Sequence, residues 1–225
     1  MQAVIYRDRK HAGEHLAREL QSEIEYQERI NFQKNTIIVA IPRGGVVVGD
    51  AIASTFHIKL DIVVSRKIGH PENPELAIGA VMPDGNYILD NIVDEVSVSK
   101  TYIKQEARAQ QKEIERRLMS YRGKIDYNTE FENKTIVLVD DGIATGFTLM
   151  ASAKWIKSNF QYKKLIIAVP VAPPEILNDL LCFADQVIVP YTPDPFIAIG
   201  RFYGIFDQVT DEDVKKIMKK YGYEI

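Results

Sequence analysis

Residues 135–148 read TIVLVDDGIATGFT: an apolar run, two acids, a turn rich in glycine and threonine, and the start of an amphipathic segment. A short apolar run bounded by turn residues is typical of a buried strand. Glycines let a turn bend so that successive backbone N–H groups face one anion, and a following helix adds its positive end. The stretch therefore predicts a strand, an anion-binding turn and a helix, a unit from which α/β folds are built.

The side chains of this turn indicate a ligand that carries both a phosphate and hydroxyl groups. The glycines and hydroxyl donors expected around the phosphate are Gly142, Thr145, Gly146 and Thr148. Asp140 and Asp141 follow the carboxyl end of the strand, where α/β sheets bind their ligands. Because carboxylates repel phosphate, we expect them to bind sugar hydroxyls or the water shell of a metal ion. An acidic turn that only caps the helix is the alternative interpretation.

The alternation of apolar runs and helix-period segments recurs on both sides of this stretch. The predicted elements are a helix over 14–30, strand 36–41, helix 46–56, strands 61–65 and 135–139, a helix through Trp155, strand 165–169, helix 174–181 and strand 186–189. Short apolar strands that alternate with helices predict a doubly wound α/β fold, with a mainly parallel sheet covered on both faces. We expect residues 1–225 to form a single domain.

Residues 82–127 interrupt this alternation. Short β segments are predicted over 77–93 around the turn Pro83-Asp84-Gly85, and a long charged helix over 99–121. We interpret 82–127 as an inserted β/helical excursion from the core sheet. Residues 190–225 are expected to form a small hood and a C-terminal extension. Their last helix, 211–221, begins with acids and ends with lysines, as the helix dipole favours.

The bulk composition narrows the classes of function. The 225 residues are 46% hydrophobic and 26% charged, which suits a folded core. A net charge of −3 argues against nucleic-acid binding as the main function, because that needs a concentrated positive face. No apolar run is long enough to predict a signal peptide or a membrane span. We therefore expect a cytoplasmic protein with neither nucleic acid nor a membrane as its partner.

On the residues of the turn, the chain resembles the type I phosphoribosyltransferases. VLVDDGIATGFT is similar to their 5-phosphoribosyl-1-pyrophosphate motif, in which apolar residues precede two acids and a Thr-Gly-x-Thr loop. The resemblance implies that Asp140 and Asp141 hold the ribose 2′- and 3′-hydroxyls with Mg²⁺ nearby. It also implies a loop around the 5′-phosphate, formed after Gly142 by Ile143, Ala144, Thr145, Gly146, Phe147 and Thr148.

A second match precedes the helix over 46–56, where an apolar strand runs into Pro42-Arg43-Gly44-Gly45. The resemblance implies a pyrophosphate loop, in which Arg43, Gly44 and Gly45 offer backbone N–H groups and one guanidinium to the diphosphate. Because Pro-Arg-Gly-Gly is also common turn chemistry, an ordinary strand-to-helix turn is the alternative.

A third match is the polar stretch SRKIGHPENPELAIG at residues 65–79. We predict a long loop here, and the resemblance implies that it is a mobile lid over the reacting centre. A basic residue at its start would contact the pyrophosphate. Lys67 is the first candidate and Arg66 the second, and a solvated strand end is the alternative for both.

The acceptor is expected to be a small planar base. Ala144 occupies the position at which relatives acting on 6-oxopurines carry an aspartate that exchanges a proton with the base. The Ala-Thr-Gly pattern is more similar to the adenine and uracil enzymes. In the hood segment 192–203, Phe196 could stack on the base while main-chain groups of Ile197 contact its edge, although core packing of Phe196 is equally open.

The resemblance implies a pentosyltransferase of nucleotide metabolism. It would transfer the phosphoribosyl group, with Mg²⁺, from phosphoribosyl pyrophosphate to a nitrogenous base and release pyrophosphate. The alternative is a non-catalytic protein that senses phosphoribosyl pyrophosphate or nucleotides, and a third hypothesis is an enzyme that consumes the donor without an acceptor. The resemblance also implies a homodimer.

Three further features lie outside this motif set. His11 and His15 are four residues apart but have no evident third ligand, so a metal site there is not predicted. Cys182 lies in an apolar segment and is predicted to be a packed thiol. Arg7-Asp8-Arg9 has two open interpretations: an arginine that reaches the acceptor or a neighbouring subunit, or a surface ion pair.

Overall fold

The computed structural model describes residues 4–23, 29–74, 76–89, 98–127 and 130–225. Its strands are β1 (Thr36–Ala40), β2 (Lys59–Ile62), β3 (Arg66–Gly69), β4 (Ala77–Val81), β5 (Tyr87–Leu89), β6 (Thr135–Val139), β7 (Lys164–Ala168) and β8 (Gln186–Ile188). Its α-helices are α1 (Arg9–Ser22), α2 (Arg29–Asn35), α3 (Gly44–Phe56), α4 (Lys100–Arg122), α5 (Phe147–Asn159), α6 (Leu177–Phe183) and α7 (Asp211–Lys220). Single turns of 3₁₀ helix span Pro174–Ile176 and Ile199–Phe202.

Five parallel strands form the central sheet, in the order β2-β1-β6-β7-β8. All five residues of β1 are buried, and β6 and β7 are buried over four of their five positions. Strands with both faces covered are apolar at every position, so the apolar runs in the sequence identify them. The predicted α/β fold with a mainly parallel sheet is confirmed, with strand boundaries shifted by up to three residues.

The first helix differs from its prediction. It begins at Arg9 rather than at residue 14, because the Asp8 side chain accepts a hydrogen bond from the His11 backbone N–H at 2.8 Å and caps the helix. It ends at Ser22 rather than at residue 30. The part of the prediction that covers residues 24–28 lies outside the described residues.

The loop predicted over residues 65–79 is wrong towards both ends, where residues 66–69 and 77–79 belong to strands. Strands β3 and β4 pair antiparallel, with Lys67 opposite Ala80 and Ile68 opposite Gly79, and β5 pairs with β4 on its other side. Burial of Ile68 supplies the physical reason, because it anchors this face of β3 against the core. The predicted lid is therefore a hairpin, which contacts both α4 and α5. The β segments predicted around Gly85 are confirmed through Leu89, and residues 90–93 lie outside the described residues.

The excursion packs onto the core through α4. Ser99 caps this helix by accepting a hydrogen bond from the Tyr102 N–H at 3.1 Å, close to the predicted start. Its buried residues include Ile103, Ile114 and Leu118, which belong to the same apolar cluster as the central sheet. The predicted C-terminal helix is confirmed as α7, which begins with a capping box formed by Thr210 and Asp213.

Among the described residues, no helix combines the length and the apolar character needed to cross a bilayer.

Candidate active site

The two predicted anion-binding turns lie side by side. Strands β1 and β6 pair in parallel, with Ala40 opposite Val139, so the turns that follow them leave the same edge of the sheet. The contact is close: a Cβ atom built on Gly44 would lie 1.9 Å from Asp141 Oδ2. Only glycine leaves room for this carboxylate at the start of α3. The structure thus brings the acid pair of one turn against the backbone of the other.

Asp140 is partly buried beneath this contact. Its Oδ1 accepts a hydrogen bond from the Asp141 backbone N–H at 2.8 Å. Burial raises the pKa of the Asp140 carboxyl well above its ordinary value, and the adjacent Asp141 carboxylate raises it further, while the Arg9 charge lowers it. A nearby cation therefore favours the charged form of the Asp140 carboxyl.

Arg9 supplies that cation. Its Nε donates to Asp141 Oδ2 at 2.7 Å, and the two side chains are only 12% and 14% exposed. The Arg9 guanidinium lies 3.7 Å from the centre of the Phe206 ring, and Tyr203 donates its hydroxyl to the Asp141 carbonyl at 2.6 Å. Arg7-Asp8-Arg9 thus forms two ion pairs: the expected surface pair, between Arg7 and Asp8, and the pair of Arg9 with Asp141, which lies in the site.

The predicted phosphate loop has unused donors. The Ile143 N–H is bonded to the Val171 carbonyl, whereas the N–H groups of Ala144 and Thr145 have no acceptor within the described chain. Gly146 has φ +77°, a left-handed conformation that favours glycine, and no side chain caps the helix that follows. The first N–H groups of α5 are therefore available to an anion.

Two further arginines, Arg43 and Arg66, have charges that interact with each other. Arg43, joined to Pro42 by a cis peptide bond, donates to Asp211 Oδ1 at 3.2 Å, and this oxygen also accepts from the Tyr121 hydroxyl at 2.7 Å. Arg66 is half-buried, and its Nε donates to the neutral Gln110 side chain at 2.8 Å. Burial lowers the pKa of the Arg66 guanidinium, and the neighbouring cations Arg117 and Arg43 lower it further.

This geometry favours Arg66 over Lys67 as the second cation of the site. Lys67 is the adjacent residue of β3, so its side chain points to the opposite face of the hairpin, where it is exposed. The Arg66 charge, in contrast, interacts with that of Arg43 in the predicted pyrophosphate turn. Contact of Lys67 with the ligand stays a prediction.

Phe196 and Ile197, the residues predicted to contact the acceptor, have different surroundings. Phe196 is half-buried, and its ring centre lies 5.4 Å from that of Phe202 in a small apolar cluster with Tyr6 and Val171. The structure therefore favours the core-packing interpretation of Phe196. Ile197 is 62% exposed.

A cavity of about 880 Å³ opens beside the phosphate loop. Ala144, Thr145 and Phe147 line one side of it. Cys182 of α6 lies on another side, where it is exposed. Its prediction as a packed thiol is wrong, because this short helix turns Leu180 rather than Cys182 into the core.

The comparisons with known proteins cover most of the chain. Residues 8–179 match the family model described as a phosphoribosyl transferase domain. Two proteins from two strains of Mycobacterium tuberculosis, each named "Putative phosphoribosyl transferase", are 33% identical over 211 residues, which is 93% of this chain and 45% of theirs. The chain thus spans less than half the length of these relatives. The crystal structure of TT1426 from Thermus thermophilus is 34% identical with a TM-score of 0.76, and the match covers 96% of this chain and 99% of that one.

Proposed function

Because the chain belongs to the phosphoribosyl transferase family, we propose that it transfers the phosphoribosyl group of 5-phosphoribosyl-1-pyrophosphate to a nitrogenous base with Mg²⁺ and releases pyrophosphate. The observation that carries the proposal is the contact between the acid pair and both anion-binding turns. The donor has a diol flanked by a phosphate and a diphosphate, and its parts match the acids and the two turns.

In the proposed reaction, a nitrogen of the acceptor forms a bond to the anomeric carbon as the bond from that carbon to the pyrophosphate oxygen breaks. Negative charge develops on the departing pyrophosphate, where Arg43 and Arg66 stabilise it. Positive charge develops on the sugar ring, close to Asp140 and Asp141. The chain's own charges thus have the signs that the transition state requires.

The acid pair also fits Mg²⁺. Within the described residues there is no cluster of three or more His, Cys, Asp or Glu side chains able to enclose a metal. Mg²⁺ does not need one, because it usually keeps several waters and binds through one or two carboxylates and the phosphates of its substrate. Asp140 and Asp141 would hold it together with the donor, and the ion would supply charge that stabilises the leaving pyrophosphate.

One observation favours the second candidate function, a protein that binds the donor or a nucleotide without turnover. Asp141 and Arg43 are already paired within the chain, with Arg9 and Asp211. A ligand that rearranges these pairs would change how α1 and α7 are tethered to the site, which is the kind of response that a sensor needs.

Pyrophosphate release from the donor and Mg²⁺, with a panel of bases and with none, separates these candidates. Release that depends on one base supports the transferase and identifies its acceptor. Tight donor binding by calorimetry without release supports the sensor, and release without any base supports a hydrolase. Sedimentation of the same protein measures its oligomeric state, for which we expect a homodimer.

Asp141→Asn tests the location of the site. The Asp141 carboxylate is proposed to accept hydrogen bonds from the sugar hydroxyls. Removing its charge should weaken the binding of phosphoribosyl pyrophosphate about 10- to 100-fold. Asp126→Asn is the matched control, because Asp126 is exposed on the loop after α4. Wild-type affinity and rate in Asp141→Asn would contradict the proposed location.

A further inference from the structure

Arg9 is held in its place by three groups from two segments of the chain. Its Nε bonds to Asp141 of the phosphate turn, and its Nη1 donates to the Asp207 carbonyl at 2.7 Å. The face of its guanidinium lies on the Phe206 ring. A side chain restrained at both edges and one face has little freedom to leave, so the orientation of the Asp141 carboxylate is restrained with it.

The ion pair of Arg9 and Asp141 does more than attach α1 to the rest of the chain. Gly44 packs directly against it, since a Cβ there would lie 2.9 Å from Arg9 Nε as well as against the Asp141 carboxylate. The pair therefore lies between the two turns that are proposed to hold the donor. The pair between Arg7 and Asp8 differs, because it joins neighbouring residues and the Arg7 side chain is 65% exposed.

The pair leaves one side of Asp141 open. Arg9 occupies Oδ2, and in the described part of the chain no N–H group donates to Oδ1, while the neighbouring Asp140 carboxyl also interacts with the Asp141 side chain. A carboxylate fixed through one oxygen presents the other in a set direction, which lowers the entropy cost of binding a hydroxyl. The Arg9 charge also offsets the repulsion between the acid pair and an anionic ligand.

We propose that Arg9 is a positioning residue of the sugar subsite, which fixes Asp141 through Oδ2 so that Oδ1 accepts a ribose hydroxyl. The inference rests on the proposed function, because it takes a ribose phosphate as the ligand of the acid pair. It assigns the start of α1, which lies outside the loop motif, to the binding of the donor's sugar. Arg9 does not touch the reacting atoms and acts through Asp141.

The test compares three probes by calorimetry: ribose 5-phosphate, inorganic pyrophosphate, and phosphoribosyl pyrophosphate with Mg²⁺. Arg9→Gln should weaken binding of ribose 5-phosphate and of the full donor about tenfold, the worth of one charge-assisted hydrogen bond. Pyrophosphate has no ribose, so its affinity should change by less than about twofold. Arg9→Lys, which keeps the charge but not the planar fork, should restore part of the loss.

Arg7→Gln is the matched control, because Arg7 lies two residues away with a side chain that is 65% exposed. It should bind all three probes like the wild type. If Arg9→Gln does not fold, as judged by thermal melting, Phe206→Leu decides the question. It keeps both charges and removes the ring under the guanidinium, and a smaller loss confined to the two ribose ligands is expected.

Equal affinities of wild type and Arg9→Gln for ribose 5-phosphate would overturn the inference. So would tighter binding by the variant, which would mean that Arg9 competes with the ligand, or an equal loss for all three probes, which would mean a general effect of charge or folding. A wild-type protein that binds none of the probes would overturn the proposed function itself.

Discussion

Arg122→Met removes the ion pair that anchors the end of α4 to the central sheet. Arg122 Nε and Nη2 donate to Asp61 Oδ1 and Oδ2 at 2.7 and 2.9 Å, and both side chains are 0% exposed. The guanidinium carbon also lies 4.0 Å from the centre of the Tyr127 ring. Methionine fills much of the same volume but leaves the Asp61 carboxylate buried without its cation.

The expected cost follows from this burial. Breaking a buried pair by removing one partner costs about 3–5 kcal/mol in the free energy of unfolding, because the remaining charge is uncompensated. In a chain of this size about 1 kcal/mol corresponds to a change of 2–4 °C in melting temperature. Arg122→Met should therefore melt roughly 6–20 °C below the wild type.

Thermal unfolding followed by circular dichroism measures this difference. The double variant Asp61→Leu/Arg122→Met should recover most of the loss, because apolar residues that replace a whole buried pair are often neutral or stabilising. Arg116→Met is the control: the Arg116 side chain is 54% exposed and its partner Glu113 keeps a second ion pair with Arg117, so the loss should cost at most about 1 kcal/mol. A single variant that melts like the control, or a double variant less stable than Arg122→Met, would refute the reasoning.

Two further predictions concern the site and the response to pH. Gly44→Ala should force the Asp141 carboxylate to rotate, because the new Cβ would lie 1.9 Å from its Oδ2, and donor affinity by calorimetry should fall at least about tenfold; wild-type affinity would contradict this. Burial raises the pKa values of Tyr6, Tyr121 and Tyr221 to about 12 from 10.0. Since the folded state then favours the neutral phenols, their contribution to stability is complete below pH 10 and is lost as the pH rises towards 12. Unfolding by denaturant, measured at several pH values across this range, tests the predicted loss of stability. A free energy of unfolding that stays constant would contradict it.

The central sheet could be predicted from sequence because its three middle strands, β1, β6 and β7, are apolar along most of their length. Strand β6 was predicted with its observed bounds, since Thr135–Val139 is followed at once by two acids. Strand β3 and its pairing with β4 were missed for a physical reason, although β4 lies within the β segments predicted over 77–93. Each of these strands has only four or five residues, and their pairing depends on a partner across a polar loop that contains two prolines. The stability of this hairpin comes from packing against α4 and α5, which local patterns do not reveal.

The start of α1 could have been predicted, because Asp8 is a strong capping residue directly before the first helical position. With that boundary, Arg9 would have been assigned to the first turn of a helix rather than to an irregular N-terminal segment. Its partner would still have been hidden, since 132 positions separate Arg9 from Asp141. Arg43 and Asp211 are 168 positions apart and were missed in the same way.

The remote origin of these partners follows from the chemistry of the loop. A motif that must keep its N–H groups open for a phosphate cannot use its own short side chains to neutralise two adjacent acids. The compensating charge has to come from an element that reaches the same edge of the sheet, and the first turn of α1 does so with Arg9. The first turn of α7 balances the Arg43 charge of the other turn with Asp211 in the same manner. In such a site the local motif identifies the ligand-binding loop, and the residues that set its charge balance are found only from the fold.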